Sequence, residues 1–147
     1  MKKVLSMRTN KEKLGDLGEA FAARILDIVL SENKYDMEKD GTIGTTRIEV
    51  KTQNRHPFGY FTVNTAFQNQ LPKCLKVDRL VFVEYDNTDK IKLWECVDRK
   101  YTTILTKSGR KMAAWPIDRM ELIHTEVNPA LATEMRKLSG AKQFTNA

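Results

Sequence analysis

The stretch Lys39-Asp40-Gly41-Thr42-Ile43-Gly44-Thr45-Thr46-Arg47-Ile48-Glu49-Val50-Lys51-Thr52 decides how the chain folds. Gly44-Thr45 puts glycine first in a two-residue connection, the preference of a type II′ hairpin turn. Residues 35–43 and 45–52 then read as two antiparallel strands. The register that follows pairs Ile43 with Thr46, Thr42 with Arg47, Gly41 with Ile48 and Asp40 with Glu49. Side chains alternate along a strand, so Ile48 and Val50 take one face and Arg47, Glu49 and Lys51 the other. Directly opposed residues have Cβ atoms about 4.5–5.5 Å apart. Two carboxylates that close repel unless a cation joins them. Mg²⁺ is commonly held by one or two carboxylates together with water and phosphate oxygens. Asp40 and Glu49 are therefore candidate metal ligands, with the Val50 carbonyl as a further one. Lys51, on the same face, is placed to orient a metal-bound water and to stabilise charge developing on a phosphate. Asp36 and Gln53 share this face as secondary candidates. A turn at Thr42-Ile43, or a longer loop, would set Asp36 against Glu49 instead; the glycine-first turn favours Asp40.

Upstream, Leu14, Leu17, Phe21, Ile25 and Ile28 recur at intervals of three and four, the spacing of a helix over residues 14–30. Glu19 falls away from the polar side formed by Lys13, Asp16, Arg24 and Asp27, among the small residues Gly15, Ala22 and Ala23. A carboxylate on such a face needs a partner, and a metal site on the adjoining sheet would supply one. Downstream, residues 55–59 read as a loop and 60–64 as a short strand. Thr65-Ala66-Phe67-Gln68 has the spacing of a capping box that starts a helix, which Pro72 breaks or restarts. Arg79 to Tyr85 is apolar enough for a central strand buried on both faces, and Asp86 to Asp89 reads as a turn. Residues 90–97 read as a strand, 98–111 as a loop with some helix, 115–123 as an edge strand and 130–138 as a helix. The order argues for an α/β fold, a mixed central sheet flanked by helices, in a single domain over residues 1–147 with a flexible basic N-terminus at 1–12.

Of 147 residues, 41% are hydrophobic and 30% charged, and the formal charge is +6, with a pI near 9.3. A basic surface favours a polyanionic partner, nucleic acid above all. Lys73 and Lys76 flank the middle helix, and Lys107-Ser108-Gly109-Arg110-Lys111 is a compact basic loop; Lys73, Lys76, Lys107, Arg110 and Lys111 are the candidate phosphate contacts. Cys74 and Cys96 are far apart, form no metal-ligand pair and read as reduced. His56 and His124 are isolated. Trp94 and Trp115 read as core or interface residues. No apolar run is long enough to span a membrane, and the N-terminus lacks the apolar region of a signal peptide, so the cytoplasm is the expected compartment.

A helix carrying Gly18-Glu19-Ala20-Phe21-Ala22, then Asp40, then Ile48-Glu49-Val50-Lys51-Thr52 resembles the PD-(D/E)XK nuclease superfamily. The likeness is greatest to its small phage-type members, akin to homing endonucleases or Holliday-junction resolvases. It implies a restriction-endonuclease-like sheet, Asp40 and Glu49 as metal ligands, Lys51 as catalytic and Glu19 as an auxiliary acid. It also implies Mg²⁺, with Mn²⁺ as a substitute, and hydrolysis of DNA to leave 5′-phosphates. The proline that precedes the motif aspartate in the family is Lys39 here. One small domain reads few base pairs, so a homodimer or larger symmetric assembly is expected, acting on specific duplex or branched DNA. Duplex sites, four-way junctions and flaps stay open as substrates. The alternative is a catalytically inactive nucleic-acid-binding or assembly protein that keeps the fold.

Overall fold

The computed structural model describes residues 9–32, 39–54, 59–65 and 70–140. The first helix, α1 (Asn10–Leu26), starts earlier than the apolar spacing suggests. Thr9 and Glu12 form a capping box: the Thr9 hydroxyl accepts from Glu12 N at 3.1 Å and the Glu12 carboxylate accepts from Thr9 N at 2.9 Å. Two amides that the first helical turn leaves without acceptors are thereby satisfied, and residues 9–12 belong to the start of this helix; residues 1–8 of the expected flexible N-terminus lie outside the described residues. The helix stops at Leu26 because Asp27 takes a left-handed conformation (φ 58°). Val29–Leu30 is a short strand, β1, and not the helix's last turn.

The hairpin forms in the expected register. β2 (Gly41–Ile43) pairs with β3 (Thr46–Gln53) through Ile43 with Thr46, Thr42 with Arg47 and Gly41 with Ile48. Gly44 has φ +61° and Thr45 has no positive φ, as a type II′ turn requires. The beginning of the longer strand expected from Tyr35, and Asp36 with it, lie outside the described residues, as do most of the loop 55–59 and residues 66–68 of the expected capping box.

β4 (Tyr60–Asn64) and α2 (Gln70–Lys76) follow, and Pro72 lies within α2 without breaking it. β5 (Arg79–Glu84) and β6 (Lys90–Cys96) come next. Residues 98–111, expected as loop with some helix, contain a strand, β7 (Thr102–Leu105). The expected edge strand 115–123 is two strands, β8 (Lys111–Pro116) and β9 (Met120–Val127), joined by a 3₁₀ turn at Ile117–Arg119. The last helix is α3 (Pro129–Ser139).

Two sheets result. The larger has six strands in the order β1-β2-β3-β5-β6-β9; the smaller has three, β4-β8-β7. The pairing of β3 with β5 is parallel and the others in the larger sheet are antiparallel, so this sheet is mixed. Alternation divides β5 between two cores. Val81 and Val83 face α1 and α3, packing with Phe21, Ala22, Ile48, Val50 and Met135. Leu80 and Phe82 face α2 and the smaller sheet, packing with Phe61, Leu71, Cys74 and Trp115. The fold is thus a mixed sheet with helices on its faces, the second face shared with a small sheet. Cys74 and Cys96 are both buried free thiols. Among the described residues no helix is long and apolar enough to cross a membrane.

Candidate active site

Among the described residues, β3 has strand neighbours on both sides only at its start. β2 covers Thr46 to Ile48, whereas β5 runs alongside from Ile48 to Gln53. Beyond Ile48 the edge away from β5 is left to Asp40, which precedes β2. The Asp40 amide donates to the Ile48 carbonyl at 2.8 Å, and one carboxylate oxygen, Oδ2, accepts from the Val50 amide at 2.8 Å. Asp40 is therefore not a ladder partner of Glu49; its side chain instead closes over the strand edge beside it. The N–H and C=O of one strand residue project to the same edge, so the Val50 carbonyl lies on the edge that Asp40 occupies.

Alternation sends Ile48 and Val50 into the first core and Glu49 and Lys51 to the opposite face. There α2 supplies partners. Gln70 and Lys73 are three residues apart and so share one side of that helix. The Lys51 ammonium lies 2.8 Å from Glu49 Oε2 and also donates to Gln70 Oε1. The Lys73 ammonium lies 3.2 Å from Glu49 Oε1 and 3.3 Å from Asp40 Oδ1, joining the two acids. Glu49 is 1% exposed, Lys73 9% and Asp40 11%. Arg99 holds α2 in place from below, donating to the carbonyls of Cys74 (2.9 Å), Val77 (3.0 Å) and Asp78 (3.0 Å). Carbonyls at a helix C-terminus have no intrahelical donor, and a guanidinium there satisfies several at once.

Burial pushes the Glu49 carboxyl up to about 7; Lys51 and Lys73 pull it down, and Asp40 pushes it further up. Burial opposes the charge on Lys73, but Glu49 and Asp40 outweigh it and hold the ammonium above its ordinary range. Glu49 Oε1 is buried, and its partner is the Lys73 ammonium at 3.2 Å. Burial also pushes the neighbouring Cys74 thiol up to about 12, which leaves it inert.

These groups open into a cleft of about 910 Å³, walled by the N-terminal half of α1, the end of β3, and β4 with the start of β8. Asp40, Glu49, Val50, Lys51, Glu19 and Arg110 all line it. The wall formed by α1 depends on Gly18. A Cβ there would fall 1.6 Å from Thr52 Oγ1, so only glycine lets the helix lie this close to β3.

The sequence-predicted residues are therefore partly gathered. Asp40, Glu49, Lys51 and the Val50 backbone meet at one place, and Glu19 lines the same cleft. Among the described residues, no three Asp, Glu, His or Cys side chains gather as a metal-holding group. Gln53, a secondary candidate, also lines the cleft. Its amide donates to the Thr62 carbonyl at 2.9 Å and accepts from the Thr62 amide at 2.7 Å, tying β3 to the smaller sheet. Lys73 was expected on phosphates and is instead buried between the acids. Lys76, Lys107, Arg110 and Lys111 are exposed, the last three at the tip of the β7–β8 hairpin. Gln70, Arg99 and the Gly18–Thr52 contact are not apparent in the sequence. The spacing of Gln70 and Lys73 on one helix side was the available signal for the first.

No protein-family model matches the chain, and no curated protein matches it. The donor set itself is hard oxygen: the Asp40 and Glu49 carboxylates and a carbonyl on the same edge. Such a set fits Mg²⁺ or Mn²⁺ better than a softer metal.

Proposed function

We propose that the chain is an intracellular, divalent-metal-dependent DNA endonuclease of restriction-endonuclease-like fold, related to small phage-type nucleases. The observation that carries this is the convergence of Asp40, Glu49 and Lys51 at an open strand edge inside a cleft that also takes in Arg110. Asp40, Glu49 and the Val50 carbonyl would hold Mg²⁺, with Mn²⁺ as a substitute. When bound, such a cation polarises a phosphate oxygen and lowers the pKa of its water.

The chain's own residues do the rest. The Val50 amide fixes the Asp40 carboxylate, so little reorganisation is needed at the moment of reaction. Lys51, anchored by Glu49 and Gln70, orients the attacking water and neutralises charge that develops on the phosphoryl oxygens. In-line attack on phosphorus breaks the P–O3′ bond, the 3′-hydroxyl leaves, and the phosphate stays on the 5′ end. Glu19 acts as an auxiliary acid on the α1 wall. Arg110, Lys107, Lys111 and Lys76 supply phosphate contacts, which makes binding salt-dependent. A symmetric homodimer would present two clefts to two strands of duplex or branched DNA.

A second reading, a nucleic-acid-binding protein without catalysis, is favoured by one observation: a lysine ammonium already joins the two acids. Plasmid, linear duplex, four-way-junction and flap DNAs incubated with Mg²⁺ or Mn²⁺ separate the two. The nuclease cuts at least one of them. Lys51→Ala then retains DNA binding and loses about 10²–10³-fold in cleavage rate, the size expected for removal of one transition-state donor. Unchanged cleavage by Glu49→Ala would sink the nuclease, and binding of DNA with no cleavage in either metal would establish the second reading.

A further inference from the structure

We infer that Lys73 is a resident counter-cation of the carboxylate pair, and that a divalent metal binds by displacing its ammonium into the cleft. The inference rests on the proposed metal site but not on catalysis. Its basis is geometric. Lys73 Nζ is 3.3 Å from Asp40 Oδ1 and 3.2 Å from Glu49 Oε1, so it occupies the gap between the two oxygens that would ligate a metal. Mg²⁺ binds oxygen at about 2.0–2.1 Å. A cation held by those two oxygens would stand within a few ångströms of an ammonium that contacts both, and two positive charges at that range repel strongly in a dry site. The position therefore holds one cation or the other.

Both states are accessible to the side chain. Lys73 itself lines the cleft, so rotation about its flexible stem moves the head from the acids into open space without moving α2. Arg99 keeps the helix fixed meanwhile. The arrangement also accounts for a fold that buries two acids next to each other. Breaking a buried pair by removing one partner is strongly destabilising, and with no metal present Lys73 prevents that loss.

Lys73→Gln tests this with Mn²⁺ alone, by calorimetry and thermal unfolding. Without metal the variant is less stable than wild type. It binds Mn²⁺ roughly tenfold or more tightly than wild type, since one repulsive charge is gone, and saturating Mn²⁺ restores its melting temperature to that of wild type. Lys73→Arg keeps the charge and shows no such gain. Mn²⁺ affinity of Lys73→Gln equal to or below wild type overturns the inference, as does failure of Lys73→Gln to fold both with and without Mn²⁺. The outcomes separate this inference from the nuclease assignment. Tighter Mn²⁺ binding by Lys73→Gln, with no DNA cut by wild type, keeps the exchange and removes the enzyme. Cleavage by wild type with no gain in Lys73→Gln does the reverse.

Discussion

Glu49 and Glu126 each sit close to a cationic nitrogen, yet their carboxyls are driven in opposite directions. Glu49 lies 2.8 Å from Lys51 Nζ; Glu126 lies 2.7 Å from Arg24 Nη2. Burial raises the first to about 7. Hydrogen bonds lower the second to about 2, the one from Arg24 most, then those from Asn128 and His124. Proximity of opposite charge is common to both, so it cannot be what decides. Solvation and hydrogen bonding decide. Glu126 keeps access to water and accepts from three side chains. Glu49 is sealed off from water. The surface pair is stabilised by water and hydrogen bonds, whereas burial works against the charge of the cleft pair, as the proposed exchange of one cation for another requires.

The same helix builds both ends. The N-terminal half of α1 walls the cleft, and its C-terminal half carries Arg24 to Glu126 on β9. The largest effect that could separate the two ends comes from Gly18→Ala. The new methyl meets Thr52, a β-branched residue with few rotamers to turn away. Overpacking typically costs about 1–3 kcal/mol, and a contact this short should exceed about 3 kcal/mol in denaturant unfolding. Adding Thr52→Ala should recover most of the loss. No recovery would mean that α1 reaches β3 for some other reason.

That contact also marks where the sequence stops being legible. The Gly44-Thr45 turn and the apolar run of β5 are local signals, and the hairpin register and central strand follow from them. Ile48-Glu49-Val50-Lys51 alternates, so the face shared by Glu49 and Lys51 follows as well. Lys73 offers no such clue. It reads as a surface cation because its partners are 24 and 33 residues away and the fold alone brings them together. The β7–β8 hairpin was hidden for another reason: β7 is short and mostly exposed, and carries almost none of the apolar alternation that reveals a half-buried strand.

The next effect is one of pH. Glu49 titrates near 4.5 when unfolded and near 7 when folded, so the folded state holds more protons between those values. Stability should therefore fall as pH rises through that window and level off above it. The full change is roughly 3–4 kcal/mol at about 1.4 kcal/mol per pH unit. Urea midpoints from pH 4.5 to 8 measure it, and Glu49→Gln should flatten the curve. An unchanged slope in Glu49→Gln would show that another group titrates there.

The smallest effect has the opposite sign and belongs to the other glutamate. The folded-state value for Glu126 lies below its unfolded one, so its contribution is fully present above about 4.5 and is lost as pH falls towards 2. Surface ion pairs contribute about 0.2–1 kcal/mol, and Arg24 is more than half exposed at 56%, so the upper part of that range is the most to expect. A double-mutant cycle of Arg24→Ala and Glu126→Gln at pH 6 should return a coupling within it. The coupling should shrink as pH falls from about 4.5 towards 2, because the unfolded carboxyl is protonated first and the folded one only near 2, and it should shrink in high salt. Glu49 with Lys51 should respond weakly to salt, because a buried pair is little screened. If both couplings fell equally with salt, the cleft would be as wet as the surface, and burial could not be what sets the two glutamates apart.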